Sequence, residues 1–341
     1  MKYLVTGTAG FIGFHLAKRL LESGHIVLGY DGMTDYYDVD LKKSRHSILD
    51  EYEKFTAVVG MLEDYDKLLE CAESFSPDRI IHLAAQAGVR YSLENPRSYI
   101  NSNLVGTFNL MEVSRILSVD HLLMASTSSV YGANKIMPFE ETDMTDHPLT
   151  LYAATKKSNE VMAHSYSSLW EIPTTMFRFF TVYGPHGRPD LALFKFVKAT
   201  LEGQKIDVYN NGEMARDFTF VDDLVRAIHL LAEVIPLKCG ERNENSIIPD
   251  YDTLSPAAPF RVVNIGNSDK VKLLDFISAI EDKLGVKTDQ NLMPMQLGDV
   301  PETWADCRLL EHLTGYKPQT DISKGVGLFI DWYKSHYNVD D

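Results

Sequence analysis

Tyr152 and Lys156 are the side chains whose types and spacing most directly suggest chemistry, in the segment Tyr152-Ala153-Ala154-Thr155-Lys156. Residues four apart on a helix share one face, so the Lys156 ammonium can favour ionisation of the Tyr152 phenol. A phenolate near neutral pH is a general base for a hydroxyl group. Because many surface helices carry this spacing by chance, its interpretation depends on the sequence around it.

A run of hydroxyl side chains, Ser126-Thr127-Ser128-Ser129, precedes this pair. It follows residues 122–125, an apolar stretch that predicts a buried strand. Ligands bind at the carboxyl ends of strands in open α/β sheets, so we expect these hydroxyls at a ligand site. The alternative is a solvated strand end whose hydroxyls bond their own backbone.

A glycine-rich loop near the N-terminus predicts a dinucleotide site. The loop lies between a strand and a helix predicted over residues 11–23, and its contributing residues are Gly7, Gly10, Phe11, Ile12 and Gly13. Glycines allow a tight turn and a close approach of the backbone to a pyrophosphate at the helix N-terminus. Asp31 ends the next predicted strand, where a carboxylate binds ribose hydroxyls and repels a 2′-phosphate, which favours NAD over NADP. Alternatively, Asp31 is a turn residue before Gly32.

The elements that must position these groups alternate between strand and helix through the first half of the chain. Strand patterns at 3–6, 25–30, 55–59, 79–84, 121–125 and 174–180 alternate with helical patterns. This alternation predicts an α/β fold with a doubly wound parallel sheet, the Rossmann arrangement. We expect an NAD-binding domain over 1–180, which includes the helix with Tyr152 and Lys156. A smaller C-terminal α/β substrate-binding region is expected over 181–341, and segments of the two are free to interleave.

Composition limits the classes of partner. The net charge of −15 over 341 residues argues against nucleic acid, which needs clustered basic residues. The three cysteines, Cys71, Cys239 and Cys307, are far apart, and no metal-ligand spacing occurs, so we expect no metal and a reducing compartment. The sequence shows neither a signal peptide nor a membrane-spanning apolar run, which predicts a cytoplasmic protein that does not engage a membrane.

Four longer blocks carry a resemblance to a known family. They are residues 82–92 (HLAAQAGVRYS), 151–157 (LYAATKK), 178–185 (RFFTVYGP) and 216–223 (RDFTFVDD). Together they resemble the extended short-chain dehydrogenase/reductase superfamily, which contains the NAD-dependent epimerases and dehydratases, and within it the UDP-glucuronate 4-epimerases. The resemblance runs nearly from end to end.

This resemblance implies roles for the catalytic and cofactor residues. Tyr152 would be the base, Lys156 would bind the nicotinamide ribose and tune the phenol, and Thr127 would bridge the substrate O4 atom to Tyr152. NAD would accept and return the C4 hydride through a 4-keto sugar, and Leu62 and Ala84 would also line its site. The chain departs from the superfamily at the end of the third strand, where Met61 replaces an aspartate that usually contacts adenine.

A carboxylated sugar needs additional restraint. A 4-keto sugar with a C5 carboxylate is a β-keto acid, which loses carbon dioxide when the breaking bond aligns with the carbonyl π system. The resemblance places Ser128, Ser129 and Thr181 near this carboxylate, although Thr181 could instead contact the diphosphate or pack in a strand. Related 4,6-dehydratases usually have Asp-Glu after the catalytic threonine, and related decarboxylases usually have Glu at the position of Ser129.

The resemblance also implies contacts to the nucleotide. Arg216 would grip the diphosphate, Tyr209 would stack on uracil, and Asp299 would bind the uridine ribose. The alternatives are a surface ion pair for Arg216 and a core position for Tyr209. Arg188 could contact either the diphosphate or the carboxylate, and Arg90 could contact the sugar acid or form a loop ion pair.

Assembly and function keep alternatives at this stage. The family forms homodimers through two long helices, here near 98–114 and 152–170, although their apolar stripes also suit packing within one chain. The main functional alternative is a 4-epimerase of a neutral or N-acetylated UDP-hexose. A more remote one is an NAD-sensing protein without catalysis, which usually lacks the tyrosine and lysine pair.

Overall fold

The strands and helices of the computed structural model were assigned over residues 1–241, 248–296 and 298–339. The strands are β1 (Lys2–Thr6), β2 (Ile26–Asp31), β3 (Phe55–Val59), β4 (Arg79–His82), β5 (His121–Thr127), β6 (Thr174–Phe179), β7 (Thr181–Tyr183), β8 (Lys205–Tyr209), β9 (Ala215–Arg216), β10 (Phe218–Phe220), β11 (Phe260–Ile265), β12 (Val271–Lys272), β13 (Asp289–Met293) and β14 (Glu302–Thr303). The helices are α1 (Phe11–Glu22), α2 (Val39–Leu49), α3 (Tyr65–Phe75), α4 (Tyr91–Glu94), α5 (Pro96–Tyr99), α6 (Thr107–Leu117), α7 (Leu151–Trp170), α8 (Ala192–Leu201), α9 (Val221–Glu233), α10 (Leu273–Leu284), α11 (Arg308–Thr314) and α12 (Ile322–Tyr337).

The central sheet has seven strands in the order β11-β6-β5-β4-β1-β2-β3, and every pairing in it is parallel. From β1 the chain winds outward through β2 and β3, and then returns to the other side of β1 through β4, β5 and β6. This reversal creates a crevice at the carboxyl ends of β1 and β4, which is where such sheets bind ligands. The predicted doubly wound parallel fold is therefore confirmed.

Helices cover both faces of this sheet. On one face α1 packs against α9, which also contacts α11, and on the other face α6 packs against α3 and α7. The two faces bury separate apolar clusters, represented by Phe14, Leu224 and Leu310 on the first and by Leu68, Leu110 and Met176 on the second. Fully buried parallel strands need apolar residues on both faces, which explains the continuous apolar runs of β1 and β5.

A third apolar cluster belongs to the smaller C-terminal region. It lies among α8, α10, α12 and β8 and includes Phe194, Phe276 and Phe329. Three small sheets, β7 with β10, β8 with β13, and β9 with β12 and β14, surround it. The chain does not stay in this region, because β11 returns to the central sheet and pairs with β6 over its whole length.

The segment predicted as a long helix near 98–114 differs from that expectation. Helix α5 continues into a π-helical segment, Ile100–Gly106, and then into α6. Asn103 lies within this wider turn, where its side chain accepts from the Gln86 amide at 2.8 Å and donates to the Gln86 carbonyl at 3.0 Å. Such π turns are often found at functional sites, and here the turn ties the helix to the loop after β4.

None of the helices in the described ranges combines the length and the apolarity that a bilayer crossing demands. The same ranges contain no group of three or more His, Cys, Asp or Glu side chains that is arranged to hold a metal ion.

Candidate active site

A cleft of about 430 Å³ opens at the reversal point of the sheet and collects most of the predicted site residues. Its walls are the loop after β1, the ends of β2 to β5, the start of α7 and the segment after β6. The predicted residues that line it are Gly7, Gly10, Phe11, Ile12, Gly13, Asp31, Leu62, Ala84, Thr127, Ser128, Ser129, Tyr152, Lys156, Thr181 and Arg188.

The glycine-rich loop forms a cradle that has no room for side chains. A Cβ atom on Gly13 would lie 2.0 Å from the Gly7 carbonyl oxygen, and one on Gly10 would lie 2.9 Å from the same atom. Gly10 is also the N-cap of α1 and provides no side-chain cap, so no side chain occupies the helix N-terminus. Free N–H groups at a helix start favour an anion, and the cradle therefore fits the pyrophosphate of a dinucleotide.

Asp31 connects the cradle to the end of β2. One carboxylate oxygen accepts from the Ala9 amide at 3.0 Å and the other accepts from the Met33 amide at 2.8 Å. Each oxygen keeps a second lone pair for a ribose hydroxyl. Both interpretations of Asp31 are thus compatible with its geometry, because it holds the following turn and also lines the cleft.

Helix α2 contributes basic residues that the sequence analysis did not identify. Lys42 lines the cleft near Asp31 and donates to the Thr34 carbonyl at 2.5 Å. Arg45 is fully buried and donates to the carbonyls of Ala9 at 2.6 Å and His186 at 2.7 Å. The only available signal was the spacing, since both cations share one helical face with Leu41 and Leu49, and buried charges are rare unless paired.

Tyr152 and Lys156 line the same cleft as the cradle, with Lys156 buried and Tyr152 partly buried. Burial raises the pKa of the Tyr152 phenol, while a hydrogen bond with Thr127 and the charge of Arg188 act in the lowering direction. Burial also lowers the pKa of Lys156 to about 8, and its ammonium donates to the Ala125 carbonyl at 3.0 Å. Lys156 was expected to lower the pKa of the Tyr152 phenol, but it does not. Burial is the largest effect on that pKa, and the groups that act against it are Thr127 and Arg188.

A buried ion pair fixes the catalytic helix against the sheet. Glu160 of α7 accepts from Arg178 of β6 at 2.9 Å through each of its two oxygens, and also from the Ser126 hydroxyl at 2.6 Å. The Arg178 guanidinium outweighs the effect of burial and lowers the pKa of Glu160. At the start of α7 the Thr150 hydroxyl caps the Ala153 amide at 3.2 Å. These contacts set the position of Tyr152 relative to the hydroxyl run.

The hydroxyl run combines the two roles considered for it. Thr127 ends β5 and its hydroxyl accepts from the Ser129 amide at 3.2 Å, so it caps a short 3-10 turn, Ser128–Tyr131. Thr127, Ser128 and Ser129 nevertheless line the cleft. Thr181 faces them from β7, and its amide donates to the Asp217 carbonyl at 3.0 Å. The cleft therefore has small hydroxyl groups on two sides.

Arg188 reaches the cleft from the loop after β7. Its guanidinium forms a two-point ion pair with Asp190, with nitrogen to oxygen distances of 2.9 and 2.5 Å. Tyr36, another cleft residue, donates to the same carboxylate at 3.3 Å. Arg188 thus brings a positive charge to the side of the cleft that holds Tyr152.

Four predicted residues, Arg90, Tyr209, Arg216 and Asp299, do not line this cleft and instead form a group of their own. Arg90 pairs with Asp299 at 3.1 Å and lies over the Tyr209 ring, 4.8 Å from its centre. The Arg216 guanidinium donates to the carbonyls of Ala215, Val300 and Pro301 at 2.7 to 3.0 Å. Burial lowers the pKa of Arg216, which the charges of Asp299 and Glu302 oppose.

The alternative of an ion pair between Arg216 and a neighbouring aspartate is wrong. Asp217 is fully buried and accepts from the amides of Asn267 at 2.7 Å and Ser268 at 3.0 Å. Asp223, on α9, accepts instead from Tyr316 at 2.6 Å. The Arg216 guanidinium is consequently held by backbone carbonyl groups, which leaves its charge without a full counterion.

Comparison with known proteins extends these observations to the whole chain. Residues 3–238 match the sequence model of the family described as NAD dependent epimerase/dehydratase. "Probable UDP-glucuronate 4-epimerase" of Rhizobium meliloti (strain 1021) is 56% identical over 339 residues, which cover 99% of this chain and 98% of that protein.

Solved structures resemble the fold over its full length. UDP-glucuronic acid 4-epimerase from Bacillus cereus, in complex with UDP-glucuronic acid and NAD, has a TM-score of 0.86 at 32% identity, covering 99% of this chain and 100% of that chain. UDP-glucose 4-epimerase from the hyperthermophilic eubacterium Thermotoga maritima, with UDP-glucose, has a TM-score of 0.83 at 25% identity, covering 99% of this chain and 100% of that chain. The likeness thus includes the smaller C-terminal region as well as the central sheet.

Proposed function

Because this chain belongs to the NAD dependent epimerase/dehydratase family, we propose that its cleft inverts carbon 4 of UDP-glucuronate to give UDP-galacturonate. The protein is an NAD-dependent UDP-sugar 4-epimerase. NAD held by the glycine cradle and Asp31 would supply hydride transfer at carbon 4, by which the hydride leaves one face of the sugar and returns to the other. The observation that carries the proposal is the convergence of Tyr152, Thr127 and the glycine cradle in one cleft.

Tyr152 and Thr127 move the O4 proton. The Tyr152 phenolate accepts this proton as the hydride leaves carbon 4, and it returns the proton when the hydride comes back, so no net proton is consumed. Thr127 acts to lower the pKa of the Tyr152 phenol and would bridge Tyr152 to O4. Lys156 would hold the nicotinamide ribose, and its pKa of about 8 keeps it largely protonated at neutral pH. A positioned base of this kind contributes about 10²- to 10⁴-fold to the rate.

Ser128, Ser129 and Thr181 restrain the sugar carboxylate. Their hydroxyl groups line two sides of the cleft next to the catalytic pair. Hydrogen bonds from these donors keep the carboxylate out of alignment with the carbonyl π system of the 4-keto sugar, which prevents loss of carbon dioxide. Arg188 adds a positive charge on this side, although Asp190 already neutralises most of it.

Arg216, Tyr209 and Asp299 bind the uridine diphosphate. Arg216 has backbone carbonyl partners rather than a carboxylate partner, so a diphosphate can provide its missing counterion. Tyr209 stacks on uracil, and Asp299 binds the uridine ribose. Both are engaged by Arg90 in this structure, so substrate binding must exchange the Arg90–Asp299 ion pair for contacts to the nucleotide.

The protein acts as a cytoplasmic homodimer in this proposal. Apolar side chains are exposed on the π-helical segment, on α6 and on α7, namely Ile100, Val105, Phe108, Ile116, Val161, Leu169 and Trp170. A monomer rarely exposes such a set on adjoining helices, and a second copy of the chain would cover it. The three unpaired cysteines, Cys71, Cys239 and Cys307, support a reducing compartment.

NMR of the anomeric region tests the function directly. The purified protein is incubated with NAD and UDP-glucuronate, and in parallel with UDP-glucose and its N-acetylated analogue. We expect UDP-galacturonate to form and the Tyr152→Phe variant to form it at least about 100-fold more slowly. Turnover of the neutral sugars alone would keep Tyr152 and Thr127 but reject the carboxylate roles. If the wild-type protein epimerises none of these sugars, or if Tyr152→Phe does not reduce the turnover, the enzyme assignment is rejected.

A further inference from the structure

The adenine end of the cofactor site is bordered by the segment after β3, in which Met61 provides no strong hydrogen-bond acceptor. Strand β3 lies next to β2, and the Gly60 amide donates to the Asp31 carbonyl at 3.0 Å, so the segment after β3 borders the ribose position. Gly60, Met61, Leu62 and Glu63 all line the cleft. The base attached to a ribose at Asp31 must therefore lie against this segment. Met61 is 40% exposed there and has only a thioether, which is a weak acceptor for an amino group.

The backbone carbonyls of Met61, Leu62 and Glu63 already accept hydrogen bonds. The Met61 carbonyl accepts from the Tyr30 hydroxyl at 3.0 Å, and the Leu62 carbonyl accepts from the Asn109 amide group at 2.9 Å. The Glu63 carbonyl accepts from the same amide group at 3.3 Å and from the Tyr65 amide at 3.1 Å. The Met61 carbonyl also accepts from the Asp64 amide at 3.1 Å, so the Met61 and Glu63 carbonyls each accept two hydrogen bonds and have no lone pair left for a further donor.

The Glu63 side chain has the capacity that these carbonyls lack. Its Oε1 atom accepts from the Ser102 hydroxyl at 3.0 Å, which anchors the carboxylate to the π-helical segment. Its Oε2 atom is buried and has no hydrogen-bond partner among the described residues. A buried carboxylate oxygen without a donor is energetically costly, so its presence at a cleft wall indicates a donor supplied by the ligand.

We infer that Glu63 accepts a hydrogen bond from the exocyclic amino group of the cofactor's adenine, and so selects a 6-aminopurine over a 6-oxopurine dinucleotide. The inference rests on the proposed function only in requiring that the cleft binds NAD. Glu63, two positions after Met61, thus provides the acceptor for the adenine amino group that the Met61 side chain lacks. Ser102 positions it, because it holds the other carboxylate oxygen.

Competition between two dinucleotides tests this selection without any measurement of turnover. The purified protein is equilibrated with equal concentrations of NAD and nicotinamide hypoxanthine dinucleotide, in which an oxo group replaces the amino group. Free nucleotide is removed, and the bound nucleotides are released and quantified by chromatography. We expect the wild type to retain NAD by about 10-fold or more over the hypoxanthine analogue, because hydrogen bonds to charged groups are worth about that much.

Substitutions at Glu63 should change this ratio selectively. In Glu63→Gln the carboxamide can donate to the oxo group, so the ratio should fall to about 1 or reverse. Glu63→Asp, which is one methylene shorter, should also lower the ratio and provides a second variant if the first folds poorly. Glu70→Gln, an exposed position on α3, should leave the ratio unchanged.

The outcomes separate this inference from the proposed function. Wild-type protein that retains both dinucleotides equally, or Glu63 variants that keep the wild-type ratio, would overturn the role of Glu63 while NAD binding stands. Wild-type protein that retains neither dinucleotide would overturn the proposed function, and the inference with it.

Discussion

Burial shifts the pKa values of two residues in this cleft away from the charged states that the proposed mechanism needs. In the proposed mechanism Tyr152 ionises to act as a base, yet burial raises the pKa of its phenol. Lys156 stays charged in that mechanism, yet burial lowers its pKa to about 8. Active sites commonly contain groups shifted in this way. The opposing contributions come from Thr127 and Arg188, so the pKa of the Tyr152 phenol depends on the cleft wall around it rather than on the lysine four residues away.

Loss of a carboxylate restraint should change the product as well as the rate. In Thr181→Ala or Ser129→Ala, the sugar carboxylate loses a donor and can rotate into alignment with the 4-keto carbonyl. We therefore expect a larger fraction of the UDP-pentose formed by decarboxylation of UDP-glucuronate, measured by chromatography of the products. Thr200→Ala, whose hydroxyl bonds the Phe196 carbonyl within α8, is the control and should leave the product ratio unchanged. Slower epimerisation without added pentose would contradict the restraint.

The site residues that could be predicted from the sequence belong to motifs with a fixed place at the end of a strand or the start of a helix. The glycine loop, Asp31, the hydroxyl run and Tyr152 all fall in the cleft because each is tied to the end of a strand or the start of a helix. Lys42, Arg45 and Glu63 were missed because their roles arise only when α2 and the segment after β3 fold against the cleft. Arg90 and Asp299, over two hundred residues apart in sequence, likewise meet only in the folded chain.

Elements couple the cofactor side to the sugar side of the cleft. The loop after β7, which carries Arg188, is attached to α1 through a hydrogen bond between His15 and the Pro185 carbonyl at 2.8 Å. It is attached to α2 through the Arg45 bond to the His186 carbonyl at 2.7 Å. Helix α1 begins at the glycine cradle, and Arg45 of α2 donates to the Ala9 carbonyl within that loop. The position of Arg188 therefore depends on the same helices that contact the cradle.

The cradle tolerates no side chain, and Gly13→Ala tests this at the level of the strand-loop-helix unit. The new methyl group would lie 2.0 Å from the Gly7 carbonyl oxygen, so the loop must open and lose its fit to the pyrophosphate. We expect at least about a 100-fold loss of NAD affinity, measured by titration calorimetry, since misplaced binding groups have effects of that size.

Gly327→Ala is the matched control for this substitution. Gly327 lies within α12, and a Cβ atom there would meet only the Lys283 side chain, at 3.8 Å. NAD affinity should be unchanged, and the free energy of unfolding should rise by about 0.5 to 1 kcal/mol, because alanine favours a helix interior over glycine. Equal NAD affinities for the two variants would reject the cradle as the binding site.

Sequence patterns predicted the elements of the central sheet well and the helical details less well. The six predicted strands match β1 to β6 because fully buried strands produce uninterrupted apolar runs. The π-helical segment, Ile100–Gly106, was missed because it depends on hydrogen bonds between Asn103 and the loop after β4, which no local pattern encodes. The pairing of β11 with β6 was equally invisible, since strand order is a property of the whole chain.

The proposed dimer depends on the exposed apolar face formed by the π-helical segment, α6 and α7. Phe108 is 46% exposed on α6 within the proposed dimer face. Phe108→Glu would place a carboxylate in the centre of that face, so we expect a monomer of about half the mass by light scattering. Leu328→Glu, at a position on α12 that is 42% exposed, should stay dimeric. A wild-type monomer, or a dimeric Phe108→Glu variant, would reject this face.

A buried acid makes the stability of the molecule depend on pH. Burial raises the pKa of Glu141 to about 7, above its ordinary value of 4.5, so the folded protein holds a proton that the unfolded chain releases. Stability therefore falls as pH rises from about 4.5 to about 7 and stays low above it. Glu141→Gln removes the buried charge, and its amide oxygen can still accept from the Asn264 amide that Glu141 now binds at 2.9 Å.

Urea denaturation of both proteins at two pH values checks this dependence. At pH 8 the Glu141→Gln variant should be more stable than the wild type by about 3 kcal/mol, and near pH 4.5 the two should be nearly equal. A difference that is the same at both pH values would show that Glu141 is not protonated in the folded state.

The late return of β11 has a consequence for biosynthesis. Strands β1 to β6 are complete when residue 179 leaves the ribosome, but β11 begins only at residue 260. Until then the outer edge of β6, which is wholly buried in the finished protein, presents unpaired backbone groups to the cell. Such an edge is a template for pairing with other chains. We therefore expect a polypeptide that stops before residue 260 to aggregate rather than fold.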